Sequence, residues 1–149
     1  MGDRTSVTLT VPVEYRDLVE SFDDTYDNDF AGGGTTHNFL YYEVNYGELD
    51  FLNELESRGV AYDSAWDSGN NYGSGIKSCR FSPEGIIDIK EIYDNARNPN
   101  IEQLMDLIES PDELIKFIQI SHENISVLPW DNQVEYGKHY LARKLIEPN

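Results

Sequence analysis

Val7, Leu9, Val11 and Val13 alternate with Thr8, Thr10 and Pro12, a period of two that fits an extended strand with one buried face. Such a strand needs partners along its edges and a cover over its apolar face, so the chain must supply further strands and something to lie on them. Pro12 has no backbone donor, which predicts that this first strand lies at a sheet edge. A second strand is expected over residues 39–46, where Leu40, Tyr42, Val44 and Tyr46 alternate with Phe39, Tyr41, Glu43 and Asn45. Aromatic side chains on both of its faces place it inside the sheet. Residues 60–66 and 76–81 read as two strands joined by the Gly/Asn-rich connection 68–75, and residues 86–93, after the Pro83-Glu84-Gly85 turn, as a fifth.

Between and after these strands the period changes. Tyr15, Leu18, Val19 and Phe22 follow helical spacing until the polar run from Asp23 to Asp29, after which Gly32-Gly33-Gly34 predicts a flexible loop. Residues 23–37 are therefore expected to be the most mobile internal stretch. A second helix is expected from Asn45, a capping residue with Glu48 three positions on. Leu49, Leu52 and Leu55 would face inward, Asp50 and Glu54 outward, and Arg58-Gly59 would close it. Asn98-Pro99-Asn100 marks a helix start before Ile101, Leu104, Met105 and Ile108. Ser110-Pro111-Asp112-Glu113 is a capping box with proline first in the next helix, which carries Leu114, Phe117 and Ile118. Residues 131–146 form a last helix, weakened by Gly137. The order predicts an α+β fold: a mostly antiparallel sheet of about five strands, helices packed on one side, and a helical C-terminal part. No repeat or linker interrupts it, so residues 1–149 are expected to form one domain, sheet-rich and acidic over 1–95 and helical over 96–149.

Charge narrows the function more than any motif does. Twenty-eight acids against eleven Lys and Arg give −17, and residues 1–75 hold fifteen acids and three basic residues, net −12, against net −5 for residues 76–149. A folded domain commonly keeps a net charge of magnitude about 2–8, because a larger one repels itself. A hydrophobic share of 39% with 12% aromatic residues distinguishes this chain from a disordered acidic tail. One cysteine excludes an internal disulfide, and with no basic-then-apolar leader and no long apolar run the expected setting is cytoplasmic and away from membranes.

Chemical motifs do not accompany the charge. An EF-hand begun at Asp27 would place Asp29 third and Gly32 sixth, but Ala31 stands fifth and Asn38 twelfth, where a bidentate Glu is required. Gly32-Gly33-Gly34 lacks the lysine of a phosphate loop, and the surrounding acids repel phosphate, so direct nucleic-acid binding is not expected. His37, His122 and His139 lie far apart and none is spaced with Cys79 as a zinc ligand; Cys79 itself reads as a small core side chain. Asp63 and Asp67 beside Tyr62 and Trp66 resemble a sugar-binding hairpin. No cofactor or metal is implied, and no catalytic residue is assigned.

These features predict a non-enzymatic acidic inhibitor. Its docking surface is expected to comprise Glu20, Asp23, Asp24, Asp27 and Asp29 with Asp50 and Glu54. Its partner is a basic protein, a nucleic-acid-binding enzyme or complex whose groove already neutralises phosphates with Lys and Arg. In charge and size alone it resembles the small acidic anti-restriction and anti-CRISPR proteins of phages and plasmids. The alternatives are an immunity protein that neutralises a basic toxin, and a small ligand- or carbohydrate-binding domain built on the 62–72 hairpin.

Overall fold

A computed structural model describes residues 3–70, 72–97 and 100–147. Among them are six strands, β1 (Arg4–Pro12), β2 (Asn28–Ala31), β3 (Thr36–Asn45), β4 (Tyr62–Trp66), β5 (Gly75–Phe81) and β6 (Ile87–Tyr93), and five helices, α1 (Arg16–Phe22), α2 (Leu52–Ser57), α3 (Ile101–Leu107), α4 (Pro111–Ile125) and α5 (Gln133–Ile146). The sheet is antiparallel throughout in the order β2-β3-β1-β4-β5-β6. The expected α+β architecture is therefore present, with one strand more than the periodicity predicted.

That extra strand lies within residues 23–37, where the sequence pattern predicted no element. Asn28–Ala31 pairs with β3 from Asn28 opposite Leu40 to Ala31 opposite His37, which makes it the sheet edge. β1 accordingly is not an edge: it lies between β3 and β4. Pro12 is tolerated because it is the last residue of the strand, while β4 pairs only from Val7 to Thr10. A third correction concerns α2, which begins at Leu52 instead of Asn45; Asn45 ends β3, and a turn at Tyr46-Gly47 intervenes. Leu49, Leu52 and Leu55 are nonetheless all buried, and Gly59 closes the helix in the left-handed conformation at φ 71°.

The apolar face of the sheet is the core. Val7, Leu9 and Val11 are fully buried, with Tyr41 and Phe39 of β3 opposite Val7 and Leu9. Val19 of α1, Leu52 and Leu55 of α2, and the rings of Tyr136 and Tyr140 of α5 pack onto the same cluster. Each fully buried side chain of this kind stabilises the fold by about 1.5–3 kcal/mol. Cys79 is buried here too, and burial pushes its thiol up to about 12, which fits a core role and not a nucleophile's.

At the helical end, Asn100 caps α3 by accepting from the Glu102 amide, whereas Asn98 and Pro99 of the predicted start lie outside the described residues. Ser110 does precede α4 with Pro111 at its start, but its side chain makes no capping hydrogen bond. The connection from α4 to α5 crosses β6 and β5: Lys90 donates to the carbonyls of Glu123 and Ser126, and Arg80 to that of Leu128. Gln133 then brackets the end of β5, accepting from the Phe81 amide at 2.8 Å and donating to the Phe81 carbonyl at 2.9 Å. Gly137, expected to weaken α5, instead permits its docking. A Cβ there would overlap the Gly59 carbonyl oxygen, and one on Gly59 would stand 2.5 Å from the Gly137 oxygen.

Candidate functional site

The predicted acidic surface divides into two groups. Glu20 and Asp29 are engaged within the protein: Arg16 donates to Asp29 at 3.0 Å and lies 3.6 Å from Glu20, His37 Nε2 is 2.9 Å from Asp29 Oδ2, and Tyr26 donates to Glu20 at 3.2 Å. This network ties α1, β2 and β3 together. Arg16 is shared among Asp17, Glu20 and Asp29, so this cluster keeps a net negative charge. Asp23, Asp24 and Asp27 follow α1 and lead into β2, with Asp23 accepting from Thr25 and Asp27 from the Tyr42 amide. Asp50, in the turn before α2, and Glu54, in its first turn, are exposed, in contrast to the half-buried Asp29.

Two of these segments, distant in sequence, are brought side by side. The Phe22 and Phe51 rings meet at 5.9 Å, and they are the chain neighbours of Asp23 and Asp50. The Tyr41 hydroxyl donates to the Asp23 carbonyl, which fixes the turn after α1. Arg58, with its guanidinium 5.2 Å above the Phe22 ring, is the cation beside this ridge. Of the seven predicted acids, Asp23, Asp24, Asp27, Asp50 and Glu54 make no salt bridge among the described residues.

The Asp29 network gives this carboxylate a pH dependence of its own. Its hydrogen bond to His37 and then the Arg16 guanidinium hold the Asp29 carboxyl below the usual aspartate range. A carboxyl lowered in the folded state contributes stability above its unfolded value of about 4 and loses it as pH falls through the lower folded value. Asp29→Asn is therefore expected to lower the melting temperature at neutral pH, with the gap to the parent closing below about pH 4. Asp24→Asn, which relieves repulsion without removing a partner, is expected to leave the melting temperature unchanged or raise it. Thermal melts across that pH range check both, and an Asp29→Asn protein as stable as the parent at neutral pH would dismiss the network.

A cavity of about 380 Å³ lies between α2 and the β4-β5-β6 end of the sheet. Strand register builds its floor: Trp66, Gly75 and Tyr93 form one row across the three strands, and Ser64, Lys77 and Glu91 form the next. The following row, Tyr62, Cys79 and Ile89, belongs to the apolar side of the same face. Gly75 leaves room for Trp66 and Tyr93 to meet across it, edge to face at 5.8 Å. The indole is tightly seated. A Cβ on Gly75 would come within 2.7 Å of the ring, one on Gly47 within 2.8 Å of the Trp66 Cβ, and the indole N–H donates to the Gly73 carbonyl. Glu48 and Asp50 form the opposite wall.

The hairpin acids proposed for sugar binding do not enter this cavity. Asp63 lies on the other face of β4, 2.9 Å from Arg80 and accepting from Ser78, while Asp67 is exposed and its backbone carbonyl accepts from Thr5. What sequence reading missed was Glu91 and Tyr93, whose i, i+2 spacing was legible but whose partners depended on the register of three strands. Among the described residues no group of three or more His, Cys, Asp or Glu is placed to hold a metal ion, and no helix is long and apolar enough to cross a membrane. No protein-family model matches the sequence, and neither a curated protein nor a solved structure is significantly similar to it.

Proposed function

We propose that this protein is a non-enzymatic acidic inhibitor that docks its α1/α2 ridge into a basic, nucleic-acid-binding groove of a partner protein. One observation supports the reading: the ring contact between Phe22 and Phe51 joins the two chain segments that carry Asp23 and Asp24 and Asp50 and Glu54. Carboxylates on a folded domain compete for Lys and Arg that otherwise neutralise phosphates, with less ordering cost than a flexible tail carries.

Salt is the first test. Affinity for a basic partner captured from lysate is expected to fall at least about tenfold between about 50 and 500 mM salt, as several ionic contacts are screened. Neutralising Asp23, Asp24, Asp50 and Glu54 together should produce a loss of similar size while thermal stability holds or rises. In a competition assay with labelled nucleic acid prebound to the partner, the protein should displace the nucleic acid. A salt-independent complex would end the electrostatic reading.

A second reading, an immunity protein for a basic toxin, draws on Tyr42 and Tyr46, which are 55% and 56% exposed beside these acids. Exposed tyrosines among charges are the anchors that cognate interfaces use. A stable ternary complex that retains the nucleic acid would favour this reading over competition for the groove.

A further inference from the structure

We propose that the cavity between α2 and the β4-β5-β6 end of the sheet receives a planar organic cation, and that its occupant is an arginine side chain of the docking partner. The identity of the occupant rests on the proposed function; the chemistry of the cavity does not. Its volume of about 380 Å³ falls in the range of small-ligand sites, about 300–1,000 Å³. Trp66 and Tyr93 give it two rings at a fixed edge-to-face angle of 79°, and a guanidinium is attracted to the face of such rings.

Charge decides the class of ligand. Glu48, Asp50 and Glu91 line the cavity with Lys77 as the one cation, and Lys77 already lies 3.8 Å from Glu56. The balance inside is anionic, so a cation gains from the field and a neutral sugar gains nothing from it. Arginine fits better than lysine because its flat, weakly hydrated head stacks on an aromatic face and presents a fork of donors to carboxylates. Asp50 belongs both to this wall and to the acidic ridge, so a partner seated on the ridge has the cavity at its rim. Tyr72 also lines the cavity, and its buried hydroxyl finds no hydrogen-bond partner among the described residues.

The test needs no partner. Capped arginine (N-acetylarginine methylamide) is titrated into the whole protein while the indole N–H resonance of Trp66 is followed by NMR, alongside the citrulline counterpart, which has the same shape without the charge, and methyl glucoside. The arginine probe is expected to shift that resonance saturably, with a dissociation constant on the order of 1 mM for a fragment of this size. The citrulline probe should bind at least about tenfold more weakly, since it has neither the cation–π attraction nor the charge. Glu91→Gln and Tyr93→Leu change floor side chains that are exposed to solvent, so the fold is expected to survive, as the NMR spectrum reports. Each should weaken the arginine probe about fivefold or more.

Equal binding of arginine and citrulline, tighter binding of the glucoside, or an arginine response untouched by both variants would overturn the proposal. The two readings fail separately. Saturable arginine binding with no basic partner in competition assays keeps the cation site and removes the inhibitor, whereas a salt-sensitive partner complex with no response at Trp66 does the reverse.

Discussion

Gly137→Ala is expected to destabilise the protein by about 2–3 kcal/mol, as overpacking does when neither neighbour can yield. The sign is what makes this informative. In an exposed helix interior the same change favours folding by about 1 kcal/mol, because glycine has the more flexible backbone to order. Here the added methyl would overlap the Gly59 carbonyl oxygen, a backbone atom that cannot rotate away, and Gly59 is itself held at φ 71° where a side chain is strained. The steric term wins, and the melting temperature should fall by about 5–10 °C for a chain of this size. Hydrogen exchange should accelerate first in α5, whose Tyr136 and Tyr140 rings would lose their seat on the core. A variant more stable than the parent would mean that α5 does not approach α2 this closely in solution.

The same glycine shows why part of the fold was legible and part was not. Periodicity reports one element's own face, and it located β1, β3, β4, β5, β6 and the buried leucines of α2. It carries no information about which backbone will approach which, so Gly137 read as a flaw in a helix instead of a contact surface. β2 escaped for a related reason. Phe30 is its one large apolar side chain and is 46% exposed, since an edge strand pairs through its backbone and here is fastened by Asp29 to Arg16 and His37. Pro12 misled in the opposite direction, because a missing donor forbids pairing at one residue and says nothing about the rest of the strand.

The site divides along the same line. Local charge density singled out all seven acids, yet density cannot tell a carboxylate with an internal cation from one without. Arg16 is close in sequence to Asp17 and Glu20, but its shortest bond is to Asp29, thirteen residues on, which only the β2–β3 pairing brings within reach. The cavity needed still more: three strands in register before Trp66, Lys77, Glu91 and Tyr93 share one floor. Surface charge is readable in outline from sequence, whereas a pocket assembled by strand register is not.

Arg80→Met is expected to cost about 3–5 kcal/mol, the scale for removing one member of a buried ion pair. The side chain is 4% exposed and its guanidinium does four things at once. It pairs with Asp63 at 2.9 Å, donates to the carbonyls of Tyr62 and Cys79, donates to the Leu128 carbonyl at 2.8 Å, and lies 3.8 Å over the Trp130 ring. Methionine fills much of the volume and makes none of these bonds, so Asp63 keeps only the Ser78 hydroxyl and the connection into α5 loses one of its anchors. Because most of the penalty is the stranded carboxylate, adding Asp63→Leu should recover at least about 1 kcal/mol, a coupling expected of residues in direct contact. Chemical denaturation of the two single variants and the double variant measures it; strictly additive losses would show that the pair is not energetically linked. Arg80 makes none of its bonds to α1 or α2, so below its lowered melting point the Arg80→Met protein should hold a basic partner as tightly as the parent does. A parallel loss of partner binding in the folded variant would place the docking surface around Trp130 and Leu128, and not on the α1/α2 ridge.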